Sequence, residues 1–371
     1  MQAKYEDIFS DQANVQLNLS FAGTLLEVFV NLMGPVAQFI LARYGLRVLL
    51  LLGSFLAVLG LEMAGFTTQI WHLYLCQGVI FGSGASLVYA AVMTILPSWF
   101  DKHRSLAMGC AGSGSGLGAI VLTFVLNALN GSLGPSWAYR ILGFIVLGLC
   151  VVANLLVRER VKVQRRARKL NEIFSFSILK DTTFLLWMVG SVTSLSGFFL
   201  PFWFIPSYAQ YIGLSADQGT ACVSVMSAGQ FVGRIFIGFV ADRIGRLNTD
   251  ILVTLVCGLS SFLIWTFAHS YGVLMLFCFV FGFTCSSYFT LMSPITYDIV
   301  GHDKFPTAVS TMLLSNIISV FGPSIASGIQ TAVGSEPYLV YKMFTGTAYI
   351  LGGLILIVVK FRISRQIRYR C

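Results

Sequence analysis

Charge is scarce in this chain. Lys, Arg, Asp and Glu together make up 11% of its 371 residues, about half the share of an ordinary soluble domain. That shortage excludes a water-covered globular surface. Histidine is scarcer still. His72, His103, His269 and His302 each stand near the end of an apolar run, and no two share metal-ligand spacing. No constellation of nucleophile, base and acid appears, so the chain does not read as an enzyme, and no metal or cofactor is expected. Cys76, Cys110, Cys150, Cys222, Cys257, Cys278 and Cys285 lie in apolar segments without framework spacing, which favours packing over disulfides. Cys371 closes the chain without forming a prenylation box. The polar, acidic start MQAKYEDIFSDQAN has no resemblance to a cleavable signal peptide. Gly112, Gly114, Gly116 and Gly118 lack the Lys-Ser/Thr that completes a phosphate loop. Ordered stacking of aromatics with basic residues is also missing, so no nucleic-acid partner is expected.

What the chain has in quantity is apolar sequence, at 56% of its residues. The runs are about twenty residues long, enough to cross a ~30 Å hydrocarbon core. This predicts an all-α, polytopic membrane protein whose partner is the lipid bilayer. About eleven spans are expected, at 18–41, 48–67, 71–97, 105–127, 137–157, 182–210, 217–240, 250–268, 271–297, 307–331 and 340–361. Pro97, Pro135, Pro306 and Pro337 fall near span ends. Pro35, Pro201, Pro206, Pro294 and Pro323 fall inside spans, where kinks are expected.

Basic residues cluster in every second loop. Arg43 and Arg47 follow the first span, and Lys102 and Arg104 the third. A dense group between Arg158 and Lys180 follows the fifth, Arg243 and Arg246 the seventh, Lys304 the ninth, and Lys360 to Arg370 the last. The positive-inside rule then puts the C-terminus in the cytoplasm and the short N-terminus outside. The plasma membrane is expected ahead of a vacuolar or other organelle membrane. Asn18 and Asn130 begin glycosylation sequons on the predicted outer side. Residues 1–157 and 182–371 read as two transmembrane bundles joined by a basic cytoplasmic linker, 158–181.

The chain is organised around GRIFIGFVADRIGR, residues 233–246. Arg234 lies inside an apolar run, roughly 12 Å before Asp242 at helical rise. An arginine within a span is costly and marks a functional site by default. Asp242, Arg243 and Arg246 crowd the end of the run, and Gly245 supplies a tight turn. A weaker copy, Arg43-Tyr44-Gly45-Leu46-Arg47, stands 200 residues earlier with Ala42 in place of Asp242. A repeat on that scale is the pattern of a two-half transporter. The first turn follows the first span, whereas its counterpart follows the second span of its half. The expected first helix of the fold is therefore absent from the five spans of the N-terminal half.

The spacing of 233–246 resembles the signature loop of the major facilitator superfamily. Three stretches narrow the resemblance to monocarboxylate transporter-like permeases, with the fungal branch fitting best. Trp99 to Gly109 is similar to their loop between helices four and five. Pro201 to Ala209, with Gly213-Leu214-Ser215, looks like their seventh helix, and Gly233 to Arg246 like their eighth. Trp137 to Gly143, at the opening of the fifth span, fits the fungal branch. The resemblance implies a secondary transporter (a permease or symporter) for small organic anions, with protons as a further possible partner. It implies a carboxylate-binding arginine at Arg234. The family's proton-coupling aspartate falls at Gln230, which cannot ionise, and its functional lysine lies on the helix absent here. A truncated, transport-inactive or regulatory membrane protein of the same fold is the alternative.

Each site residue has a plainer reading beside its functional one. Arg234 either anchors an anion or pairs with a carbonyl or helix end. Gln230, one turn away, either lines the cavity or packs. Glu27 and Asn31, four apart on the first span, line the cavity or pair with another helix. Asn316 and Tyr288 are further substrate-cavity candidates. Asp242, Arg243 and Arg246 form an inner gate or a solvated turn. Asp101, Lys102 and Arg104 make the pseudo-equivalent gating loop of the first half, with Asp303 and Lys304 as its counterpart in the second. Glu62 reads as structural, and Phe202, Trp203 and Phe204 as packing or gate hydrophobes.

Overall fold

The computed structural model describes residues 15–100, 102–158, 176–334 and 336–368. Asp101 and most of the linker lie outside these ranges. Among the described residues the regular structure is helical. The helices are α1 (Val15–Leu32), α2 (Gly34–Tyr44), α3 (Leu46–Ala64), α4 (Ile70–Leu73), α5 (Gly82–Trp99), α6 (Arg104–Ser132) and α7 (Pro135–Leu156). They continue as α8 (Thr182–Ser196), α9 (Phe199–Tyr211), α10 (Ala216–Ile244), α11 (Arg246–Ser260), α12 (Tyr271–Cys285), α13 (Ser287–Val320), α14 (Gly322–Val333) and α15 (Leu339–Arg368). Wider π-helical turns at Tyr74–Phe81 and Ser261–Trp265 extend α4 and α11. Eleven helical stretches among the described residues are long and apolar enough to cross a membrane. Their exposed residues include Phe124, Phe144, Leu149, Leu155 and Leu156. Apolar surface of that extent suits lipid rather than water.

The ends of these helices correct the expected spans in two ways. Helix α10 runs to Ile244 and α11 starts at Arg246, so the charged turn is almost entirely helical. Gly245, at φ 99°, is the single non-helical joint, and Gly45 does the same between α2 and α3 at φ 86°. Only glycine adopts such angles without strain. Second, some expected kinks are full breaks. Pro35 and Pro323 occupy the second positions of new helices, α2 and α14, where the missing N–H has no partner to lose. Pro206 and Pro294 do lie inside helices. Gly301, at φ 73°, interrupts α13 five residues before Pro306.

The chain forms two compact units. The first comprises Met1–Trp99, Val121–Ser175 and Val309–Ile317. Within it, Leu61, Ala64, Ile70, Leu73 and Tyr139 form one buried cluster, and Leu46, Leu49, Leu50, Leu87 and Ala90 another. The Tyr139 hydroxyl donates to Gln77 Oε1 at 2.8 Å. The second unit comprises Phe100–Ile120, Phe176–Ala308 and Ile318–Cys371. Its core holds Phe184, Trp187, Trp265, Phe277 and Phe281, all fully buried. Two helix starts here carry side-chain caps. Asp181 accepts from Thr183 N, and Ser215 and Gln218 exchange hydrogen bonds in a capping box.

Glycines set the helix contacts that position the site. A Cβ on Gly233 would overlap the Phe283 carbonyl of α12, and one on Gly229 would crowd it at 3.0 Å from Phe279 O. Spaced four apart, these two let α10 and α12 touch along their backbones. On the α6 side, Gly109 abuts the Arg234 carbonyl, Gly116 lies against Phe231, and Gly238 abuts Ser105. Gly114 and Gly118 meet nothing within 4 Å. The glycine-rich run of α6 is thus one close-packed face, Gly109, Gly112 and Gly116, with a second, open face behind it.

Candidate functional site

Arg234 lies on α10 at 8% exposure. Its Nη1 donates to the Gly112 carbonyl of α6 at 2.8 Å, and its guanidinium sits 5.4 Å from the centre of the Phe289 ring. The contact needs Gly112, since even a Cβ there would come within 3.1 Å of Nη1. Gln230 is buried one turn earlier, and its Nε2 reaches Cys285 Sγ at 3.7 Å. Tyr288 is buried too, with its hydroxyl 3.0 Å from Met292 Sδ. The second unit therefore gathers Arg234, Gln230, Cys285 and Phe289 at the meeting of α6, α10, α12 and α13. Glu27, Asn31 and Asn316 belong to the first unit. Asn31 Nδ2 donates to the Glu27 carbonyl of its own helix at 2.8 Å, and Asn316 is buried.

A second polar cluster forms where the start of α6, the end of α10 and the start of α11 meet the Tyr297–Asp298 part of α13. Asp242, in the last turn of α10, accepts from Ser105 N at 3.1 Å and from Leu106 N at 2.9 Å. Those are second and third amides of α6, so Asp242 caps that helix from a different part of the chain. Arg246 Nε lies 3.8 Å from Asp242, and its Nη1 donates to both Asp298 oxygens at 2.7 and 2.9 Å. Arg104 stacks over the Tyr297 ring at 4.1 Å and donates to the Phe100 carbonyl.

Two expected gate residues do not join the cluster. Arg243 is exposed and folds over Phe239, one turn back on its own helix. Lys102 is exposed as well. Asp101 lies outside the described residues, and the side chain of Asp303 is not described. The sequons fall in helices, not loops: Asn18 in α1 and Asn130 near the end of α6. Glu62 packs against Gly143 in the first unit, where Arg140 covers the Phe66 ring at 4.1 Å. Phe204 stacks on Tyr341 at 3.9 Å, while Trp203 is exposed.

A sequence profile of the Major Facilitator Superfamily matches residues 9–249 and 186–366. The chain belongs to the Major Facilitator Superfamily. The MFS-type transporter opdF of Penicillium oxalicum is 30% identical over 92% of this chain and 80% of its own length. The agnestins efflux protein of Paecilomyces divaricatus is 30% identical over 89% of this chain and 75% of its own. Among solved structures, the fucose:proton symporter of E. coli superposes with a TM-score of 0.74 at 14% identity, covering 93% of this chain and 92% of that one. That last likeness concerns the fold. This superfamily member is thus an MFS-type transporter, not an enzyme.

Some polar residues of the facilitator escaped sequence reasoning. Asp298 lies one residue beyond the expected ninth span, and the apolar pattern gave no sign that it faces Arg246. Asp250 is the first residue of the expected eighth span, 250–268. It is buried one turn into α11. Lys342 is also buried, at 6% exposure, with Nζ 2.9 Å from the Tyr208 hydroxyl and over its ring at 4.2 Å. The readable signal in each case is a charged residue at the edge of an apolar run, where hydropathy alone leaves its direction open.

Proposed function

We propose that this transporter moves small organic acids, or related solutes, by alternating access, with Arg234 as the anion anchor. The observation that carries this reading is the depth and burial of Arg234. It lies ten residues before the end of α10, roughly 15 Å along the helix, which is about half of a ~30 Å hydrocarbon core. Facilitators bind substrate near that depth. A guanidinium presents a planar fork matched to a carboxylate, and the Gly112 carbonyl fixes its plane through one of its five N–H donors. Gln230 and Tyr288 extend the polar lining.

The gating role falls to Asp242, Arg246 and Arg104. Asp242 holds the start of α6 against the end of α10, and this cap is the contact that opens when the carrier switches. The basic loops support a cytoplasmic face for this cluster and for the C-terminus. The efflux named for the agnestins relative fits a plasma-membrane address. Arg234 in a carboxylate site also fits the monocarboxylate transporter-like resemblance. A counterflow experiment tests the reading. Proteoliposomes preloaded with unlabelled organic acids, or with uncharged sugars as the comparison, are given trace amounts of the labelled compound. Accumulation for acids alone is the expected result, and accumulation for sugars alone overturns it.

A further inference from the structure

We propose that Asp250 is a proton-binding site, buried inside the second unit at a cavity that shares Cys285 and Tyr288 with the surroundings of Arg234. Asp250 lies in the second turn of α11, within a membrane-spanning stretch, at 3% exposure. It borders a cavity of about 10 Å³, about the least space that one water molecule needs. The wall is mostly hydroxyl-bearing. Ser191 and Ser194 come from α8, Thr254 from α11 itself, Ser287 from α13 and Tyr349 from α15. Asp250 Oδ1 and Ser191 Oγ are both buried without a hydrogen-bond partner. Two unsatisfied oxygens at one cavity mark a place for a shared hydrogen.

Among the described residues, no lysine, arginine or histidine lines the cavity. The other ionisable side chains lining it are Cys285 of α12, Tyr288 of α13 and Tyr349 of α15, while α8 contributes Ser191, Ser194 and Leu195. Tyr349 donates its own hydroxyl to the Cys285 carbonyl at 3.2 Å. On α10, the nearest charges are engaged elsewhere: Arg234 with Gly112 and Asp242 with the start of α6. Arg246, earlier on α11, is engaged with Asp298. A carboxylate taken out of water without a cation takes up a proton instead. The proton comes from water and sits on a carboxyl oxygen. Gln230 cannot ionise, so Asp250 supplies an ionisable group that the site around Arg234 does not.

Difference infrared spectroscopy on the full chain in lipid nanodiscs tests this directly. At neutral pH and without sodium, the protein should show a protonated-carboxyl band. Asp250→Asn should remove one carboxyl's share of it completely, and Asp242→Asn should remove none. An unchanged band in Asp250→Asn means the carboxylate is ionised and overturns the proposal. A band displaced by sodium chloride but not by choline chloride assigns the cavity to a metal cation and also overturns it. If Asp250→Asn does not fold, Ser191→Ala should shift the band's frequency, and no shift contradicts the site. None of these readings depends on transport, so failure of the Arg234 anchor leaves them intact.

Discussion

Asp242 Oδ2 accepts a 2.9 Å hydrogen bond from the backbone N–H of Leu106, a residue 136 positions away. One carboxylate thereby satisfies amides at the start of α6 and sits beside the Arg246 guanidinium. A capping carboxylate on another helix ties the end of α10 to the start of α6 with direction, which an ion pair alone does not give. The first copy of the turn has Ala42 at the matching position and has no such cap to offer.

Ser105 reports on that tie. It is fully buried, so Ser105→Cys should react slowly with a small maleimide in the otherwise native chain. Adding Asp242→Asn keeps the shape but removes the charge from the cap. N-cap losses cost about 1 kcal/mol, so labelling should rise about fivefold. Equal labelling with and without Asp242→Asn would show that the cap does not hold the helices together.

The two faces of the α6 glycine run predict opposite outcomes. Gly116→Ala pushes a methyl group against the Phe231 backbone at 2.8 Å, and overpacking of that kind costs about 1–3 kcal/mol. Gly118→Ala meets open space and gains helix propensity, up to about 1 kcal/mol. Thermal unfolding in detergent should place Gly116→Ala below the native chain and Gly118→Ala at or above it. The reverse order contradicts the packing of α6 on α10.

Lys342 and Tyr208 form a buried pair in which the hydroxyl receives from Nζ and donates to the Ala268 carbonyl at 3.0 Å. Tyr208→Phe strands the ammonium and should cost about 1–3 kcal/mol. Lys342→Met removes the charge and keeps the stem, and should cost less. Melting curves of the two variants give the order. A larger loss in Lys342→Met would mean the ammonium has a role the pair does not explain.

The Arg246–Asp298 bond is short, but Asp298 is 48% exposed. Half-solvated pairs contribute about 0–1 kcal/mol. A double-mutant cycle with Arg246→Gln and Asp298→Asn should give a coupling in that range, shrinking with added salt. Coupling well above it would point to a dry, closed contact.

Much of the fold was legible because the bilayer restricts it so strongly. Apolar runs of about twenty residues have to be helices, and the span from Pro135 to Leu156 could be read from its residues almost to its ends. The joint at Gly245 was equally plain, because a glycine between two apolar runs supplies the positive φ that the break needs. Direction was harder to read. Arg243 and Arg246 are both basic and three residues apart, yet one folds over Phe239 and the other reaches Asp298. That choice depends on α13, which sequence order does not bring near. Asp250 shows the same limit. A carboxylate at the edge of a span can turn to water or inward, and only the packed hydroxyls of α8, α13 and α15 show that it turns inward.

The central claim is that Arg234 holds the substrate anion. The most direct measurement is uptake of labelled organic acids into proteoliposomes containing Arg234→Lys, at matched protein density and with folding checked by gel filtration. Lysine keeps the charge and loses the planar fork. The account predicts that acid uptake falls at least about tenfold, the equivalent of 1.4 kcal/mol. Uptake equal to that of the native chain would contradict the account and leave Arg234 as a structural partner of the Gly112 carbonyl.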